Sequence, residues 1–190
     1  MSSCRSFLFV LAVAVAAASS APAQFGVPVG QRQQVEKSVE VRELVSKYCR
    51  LDYDGARLRT PDWPKLQPVV WWKTSPEYSQ INVISRYTVE AEPTLNHGKY
   101  NVTVQYRLLG SFDLVTGYIH EPANSVQEVN YTVSAVNDEW RISEADNTLP
   151  HPSRIAMVKW LNEKAEATQD PSAKKLYEEA LRQLQAPPAR

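Results

Sequence analysis

The sequence predicts an α+β domain in which a curved antiparallel sheet of about four to six strands wraps on an N-terminal amphipathic helix, with a C-terminal helical hairpin after it. Three observations predict it. Val41, Leu44, Val45, Tyr48 and Cys49 recur at helical spacing, with Arg42, Glu43, Ser46 and Lys47 on the other face. From Ile81 to Ile142 the period drops to two in four successive stretches. After Pro150 the helical period returns.

The first 23 residues carry Arg5, an apolar run from Phe7 to Ala18 and small residues ending at Ala21-Pro22-Ala23, the three-part pattern of a secretory signal peptide. The run is shorter than the roughly 18 residues of a spanning helix, so no stable membrane span is expected. Export, to a periplasmic or extracellular location, follows. Residues 24–34 read as a flexible leader, and the α+β domain is expected over 35–149. Gly55 and Thr60-Pro61 interrupt the first helix, and Asp62 ahead of Trp63-Pro64 is placed to cap a further short turn.

The strands follow. Ile81, Val83, Ser85, Tyr87 and Val89 share one face; Val102, Val104, Tyr106 and Leu108 repeat the pattern; Val129, Tyr131, Val133 and Ala135 repeat it again; Trp140 and Ile142 close it. Reversals are expected at Asn96-His97-Gly98 and at Asn137-Asp138, which gives a meander with one covered face. Over 150–186, Ile155, Val158, Trp160 and Leu161 suggest one helix. Asp170 as cap and Pro171 in the first turn open a second, with Leu176, Tyr177, Ala180, Leu181 and Leu184 along one stripe. Residues 187–190 are expected to fray.

Composition excludes several classes. The chain has 21 basic and 21 acidic residues and no basic stripe, so a nucleic-acid role lacks its electrostatic footprint. Of the two cysteines, Cys4 leaves with the signal, and Cys49 alone forms no intrachain disulfide. It reads as a small buried core residue. His97, His120 and His151 all fall in loops or turns, without the spacing of a metal site, and no cofactor motif is present.

The order of elements, carried by "VRELVSKYCRLDYDGARL", "YNVTVQYRLLGSF" and "VNYTVSAVNDEWRIS", resembles the nuclear transport factor 2-like superfamily over residues 35–146. Its ketosteroid-isomerase-like and SnoaL-like members share the cone-shaped fold. The resemblance implies a helix across the concave face of the sheet with a pocket between them, used by some members as an active site, by some as a binding cup, and filled in others. In the catalytic members a pocket Asp or Glu accepts a proton, often with Tyr, His or a second acid.

Against that expectation, the apolar strand faces offer Tyr87, Tyr106 and Tyr131 but no carboxylate. Asp52 and Asp54, flanking Tyr53 at the exit of the first helix, are placed where a carboxylate reaches the mouth; their spacing reads first as a solvated turn with local capping. Trp63, Trp71 and Trp72 form the densest aromatic cluster, and adjacent Trp71 and Trp72 point opposite ways if extended. Asn101-Val-Thr103 and Asn130-Tyr-Thr132 match glycosylation acceptors but fall inside strands.

The expected function is an exported, non-catalytic binding or interaction module, with Tyr87, Tyr106, Tyr131, Trp63 and Trp72 as ligand-binding residues for a small apolar or amphipathic molecule, or with a protein partner or second copy. Two alternatives stand beside it. One is an isomerase, dehydratase or hydrolase using Asp52 or Asp54 with Tyr87. The other is a structural envelope protein with a filled core.

Overall fold

The computed structural model describes residues 29–122 and 124–186, so residues 1–23 read as a signal peptide, residues 24–28 of the expected leader and residues 187–190 expected to fray lie outside the described residues. Helix α1 (Val29–Tyr53) is followed by a 3-10 turn (Thr60–Lys65), strands β1 (Gln80–Val89), β2 (Thr94–Asn96), β3 (Lys99–Asp113), β4 (Gly117–His120), β5 (Val126–Val136) and β6 (Glu139–Ala145), and helices α2 (Arg154–Ala167) and α3 (Pro171–Gln185). The fold is α+β, with α1 packed on an antiparallel six-strand sheet and α2 in contact with α3.

Helix α1 begins six residues before Val35, inside the stretch read as a leader. From residue 33 to residue 40 no side chain is buried, and burial then starts at Val41 and continues through Val45, Tyr48, Cys49 and Asp52. The helix stops where Gly55 takes φ +87° and Ala56 N–H bonds back to the Leu51 carbonyl at 2.9 Å. A Cβ at Gly55 would lie 3.1 Å from Ala156 Cβ, so the turn is also where α2 approaches.

The sheet order is β1-β3-β5-β6, with β2 and β4 paired to β3. Both predicted reversals are two-residue turns with positive φ at each central residue: His97 and Gly98, then Asn137 and Asp138. The short strands β2 and β4 are too brief to show a period in sequence. The 3-10 turn takes no side-chain cap from Asp62, which sits in its first turn instead.

One expectation fails in β1. The β1–β3 register shifts between Val83 and Ile84 and again between Ile84 and Arg86, which leaves Ser85 unpaired and exposed. Ile81 and Val83 therefore join Phe112 against α2 and α3, while Ile84 and Tyr87 join Tyr106 beneath α1. A one-residue slip exchanges the faces, and a uniform alternation from Ile81 to Val89 cannot describe that.

The C-terminal hairpin lies across the sheet, burying Met157, Trp160, Leu161, Ala180 and Leu184. Ser153 Oγ accepts from Ala156 N–H at the start of α2, and Asp170 Oδ1 from Ser172 N–H at the start of α3. Ile155, counted among the apolar positions of α2, is exposed. Just before α2, the Pro150 and Pro152 carbonyls accept from Asn82 and Ile84 N–H at 2.9 and 3.0 Å. Proline has no N–H to give, so the segment covers the edge of β1 as an acceptor alone.

Candidate functional site

Position 52 falls four residues after Tyr48 and three after Cys49, so the helical stripe that buries those two carries Asp52 inward as well. Its carboxylate is fully buried. Asp52 Oδ2 accepts from the His151 backbone N–H at 3.0 Å and lies 3.7 Å from His151 Nδ1. The His151 ring is also buried, stacked on Tyr106 with centroids 4.0 Å apart and planes 9° from parallel. His151 Nε2 lies 3.0 Å from Gln127 Oε1, which also accepts from Asn82 Nδ2 at 2.9 Å. An amide oxygen only accepts, so Nε2 is the donor of that pair.

The phenols complete the cluster. Tyr106 and Tyr131 hydroxyls are 2.7 Å apart, and Cys49 Sγ is 3.2 Å from Tyr106 Oη. Arg57, only 3% exposed, donates from Nη1 to Tyr48 Oη at 3.4 Å. Burial raises the Tyr48, Tyr106 and Tyr131 phenols well above their ordinary range and pushes the Cys49 thiol up to about 12. Burial works against the Arg57 charge, yet Tyr48 and Asp52 beside it hold its pKa above the ordinary value. Among the described residues, Asp52 Oδ1, His151 Nδ1 and Arg57 Nε and Nη2 have no hydrogen-bond partner.

Buried side chains, an acid from α1 among them, line the region between α1 and the sheet, which corrects the expectation of an aromatic interior without acids. A separate cleft of about 340 Å³ opens beside the exit of α1, between residues 56–63 and 73–78. Arg59, also paired with Glu163 at 2.9 Å, and Lys73 bring cations to it against Glu77, while Trp63 and Tyr78 supply aromatic wall. Tyr78 Oη donates to the Arg57 carbonyl at 3.4 Å, and Trp63 Nε1 to the Lys73 carbonyl at 3.4 Å, so the two walls are tied together.

No family model, curated protein or solved structure matches the chain. The fold and the site rest on the chain's own residues.

Of the residues the sequence singled out, Asp52, Tyr106 and Tyr131 meet in the buried cluster. Asp54 lies past the end of α1 and is exposed. Tyr87 is half-buried at the margin, its ring 6.4 Å from Tyr106 and 5.8 Å from Tyr53. Ser85, aligned in sequence with the interior tyrosines, instead accepts the Tyr53 hydroxyl on its backbone carbonyl at 3.2 Å. Trp63 lines the cleft. Trp72 packs edge-on to Tyr48 and donates to the Ser143 carbonyl, while its neighbour Trp71 is 51% exposed.

His151, Arg57 and Gln127 were missed. His151 looks like a loop residue, but a histidine between two prolines that cover a sheet edge is held in extended backbone with its side chain committed to one direction. Asn101 and Asn130 are engaged by Thr132 and by Thr103 and Asp146. Among the described residues no three His, Cys, Asp or Glu side chains gather as metal ligands would, and no helix is long and apolar enough to cross a membrane.

Proposed function

We propose that this chain is an exported binding module of the nuclear transport factor 2-like type whose ligand lies in the cleft beside α1 rather than in the cup beneath it. The observation that carries the reading is the cleft itself, about 340 Å³ with Arg59 and Lys73 set among Trp63, Tyr78 and Leu58. That volume falls in the range of small-molecule sites, and apolar walls with a few convergent polar groups are how such sites fix orientation. The composition suits a small amphipathic molecule with an acidic group: apolar body against Trp63 and Tyr78, charge toward the cations.

Native mass spectrometry of the mature protein from its own host tests it. The expected result is a retained small mass that denaturation releases and that is missing from Ser75→Trp, a substitution at a half-exposed cleft residue that fills the space. A mass retained in Ser75→Trp contradicts the reading. So does a protein that retains nothing and leaves the amphipathic anion anilinonaphthalene sulfonate free.

A second reading, an isomerase, dehydratase or hydrolase, is favoured by Asp52 standing 3.7 Å from His151 Nδ1. A carboxylate, an imidazole and phenols are proton-transfer groups. These groups are buried, so this reading requires the cleft wall to open. An activity that survives in Asp52→Asn would rule it out.

A further inference from the structure

Arg86 on β1 and Arg107 on β3 are direct cross-strand partners. Their neighbours Tyr87 and Tyr106 point beneath α1, so by strand alternation both arginines stand on the opposite, outward face. Side chains directly opposite in an antiparallel pair lie about 5 Å apart at Cβ, and like charges there repel. A sheet normally meets such a pair with an acid. Among the described residues neither arginine has a salt-bridge partner, although other arginines of the chain, Arg59, Arg141 and Arg182, do.

The acid beside them, Glu128, is engaged with Gln105 Nε2 at 3.0 Å. Arg107 Nη1 donates to the Asn124 side-chain oxygen at 2.5 Å, which orients the guanidinium but adds no charge. Between the two arginines lies a shallow hollow of about 60 Å³, lined also by Thr88, Gln105 and Val126. It is small, polar and open to solvent.

We propose that Arg86 and Arg107 form an oxyanion site on the outer face of the sheet, for a phosphate or sulfate group. Two guanidinium forks match the two charges and several acceptor oxygens of such a group, and the Thr88 hydroxyl adds a donor. Binding removes the repulsion between the forks. The site is separate from the cleft and stands whether or not the cleft binds a ligand.

The test is a titration of the mature protein with inorganic phosphate, followed by the Nε–H signals of its arginines. The expected result is saturable movement of the Arg86 and Arg107 signals, with affinity falling about tenfold or more in Arg86→Gln and in Arg107→Gln. Arg182→Gln, an exposed control on α3, leaves it unchanged. Both substituted side chains point to solvent, and thermal unfolding checks that the fold is kept. Glycerol phosphate run beside the inorganic ion separates sources: the ester binding tighter marks a phosphoryl group carried on a larger molecule, the ion binding tighter a free one. Movement that never saturates, or affinity that is unchanged in Arg86→Gln and Arg107→Gln, overturns the proposal.

Discussion

Beneath α1 the buried side chains include Tyr48, Cys49, Asp52, Tyr106, Tyr131 and His151; against α2 and α3, past the irregularity in β1, they include Ile81, Val83, Phe112, Tyr118, Met157, Trp160, Leu161 and Leu184. Both regions are closed to solvent, and they are built differently. In the second, the one indole donor, Trp160 Nε1, is satisfied by the Leu58 carbonyl at 2.9 Å. In the first, four polar atoms of Asp52, His151 and Arg57 are buried without partners among the described residues. An apolar core tolerates the loss of one member in proportion to the volume removed. A polar one responds to which partner is left behind.

The largest expected effect separates the two directly. Asp52→Ala removes the acceptor of the His151 backbone N–H and a carboxylate that helps hold the Arg57 charge, and is expected to cost about 3–5 kcal/mol by chemical denaturation. Leu161→Ala in the apolar region is expected to cost about 2–5 kcal/mol. The sharper contrast is in additivity. Asp52→Ala and His151→Ala together are expected to cost less than the sum of the two alone, with a coupling of about 0.5–3 kcal/mol. Leu161→Ala combined with Val45→Ala, one from each region, is expected to be additive.

The alkaline limb comes next. Burial raises the folded-state pKa values of Tyr48, Tyr106, Tyr131 and Cys49, so above pH 9 to 10 the unfolded chain releases protons that the folded chain keeps. Folded pKa above unfolded means that the stability is fully present below the unfolded value and is lost as pH rises toward the folded one. Each such group steepens the fall by about 1.4 kcal/mol per pH unit. Unfolding followed from neutral pH to about 12 is expected to show this slope. Tyr131→Phe is expected to flatten it, and Phe112→Leu to leave it alone. A slope unaffected by Tyr131→Phe would remove the distinction between the regions.

The smallest effect belongs to the surface. Trp71 is half exposed beside the packed Trp72, and Trp71→Ala is expected to change stability by about 0.5 kcal/mol or less.

The same two regions mark what the sequence makes legible. Long elements with a clean period were readable: α1 from Val41 onward, most of β3 and β5, and the Asp170-Pro171 start of α3. The apolar region depends on a register slip at Ser85, and nothing in a strand of alternating residues announces that one of them is unpaired. The polar region was half readable. Asp52 lies on the stripe of Val45, Tyr48 and Cys49, and extending that period by one more turn selects it over Asp54. The ordinary expectation that carboxylates face water outweighed the period. Arg57 and His151 are brought in by a turn and by a proline-flanked segment, where no period exists to project.

The proposed ligand site is the cleft and not the cup beneath α1, and two indoles stand on either side of that division. Trp63 lines the cleft, and Trp72 packs on Tyr48 in the cup. The most direct measurement is the pair of Trp63 and Trp72 indole N–H signals as anilinonaphthalene sulfonate, or the mass released from the native protein, is added. The prediction is that Trp63 moves to saturation while Trp72 stays. Movement of Trp72 with Trp63 unchanged would place the ligand in the cup and contradict the account.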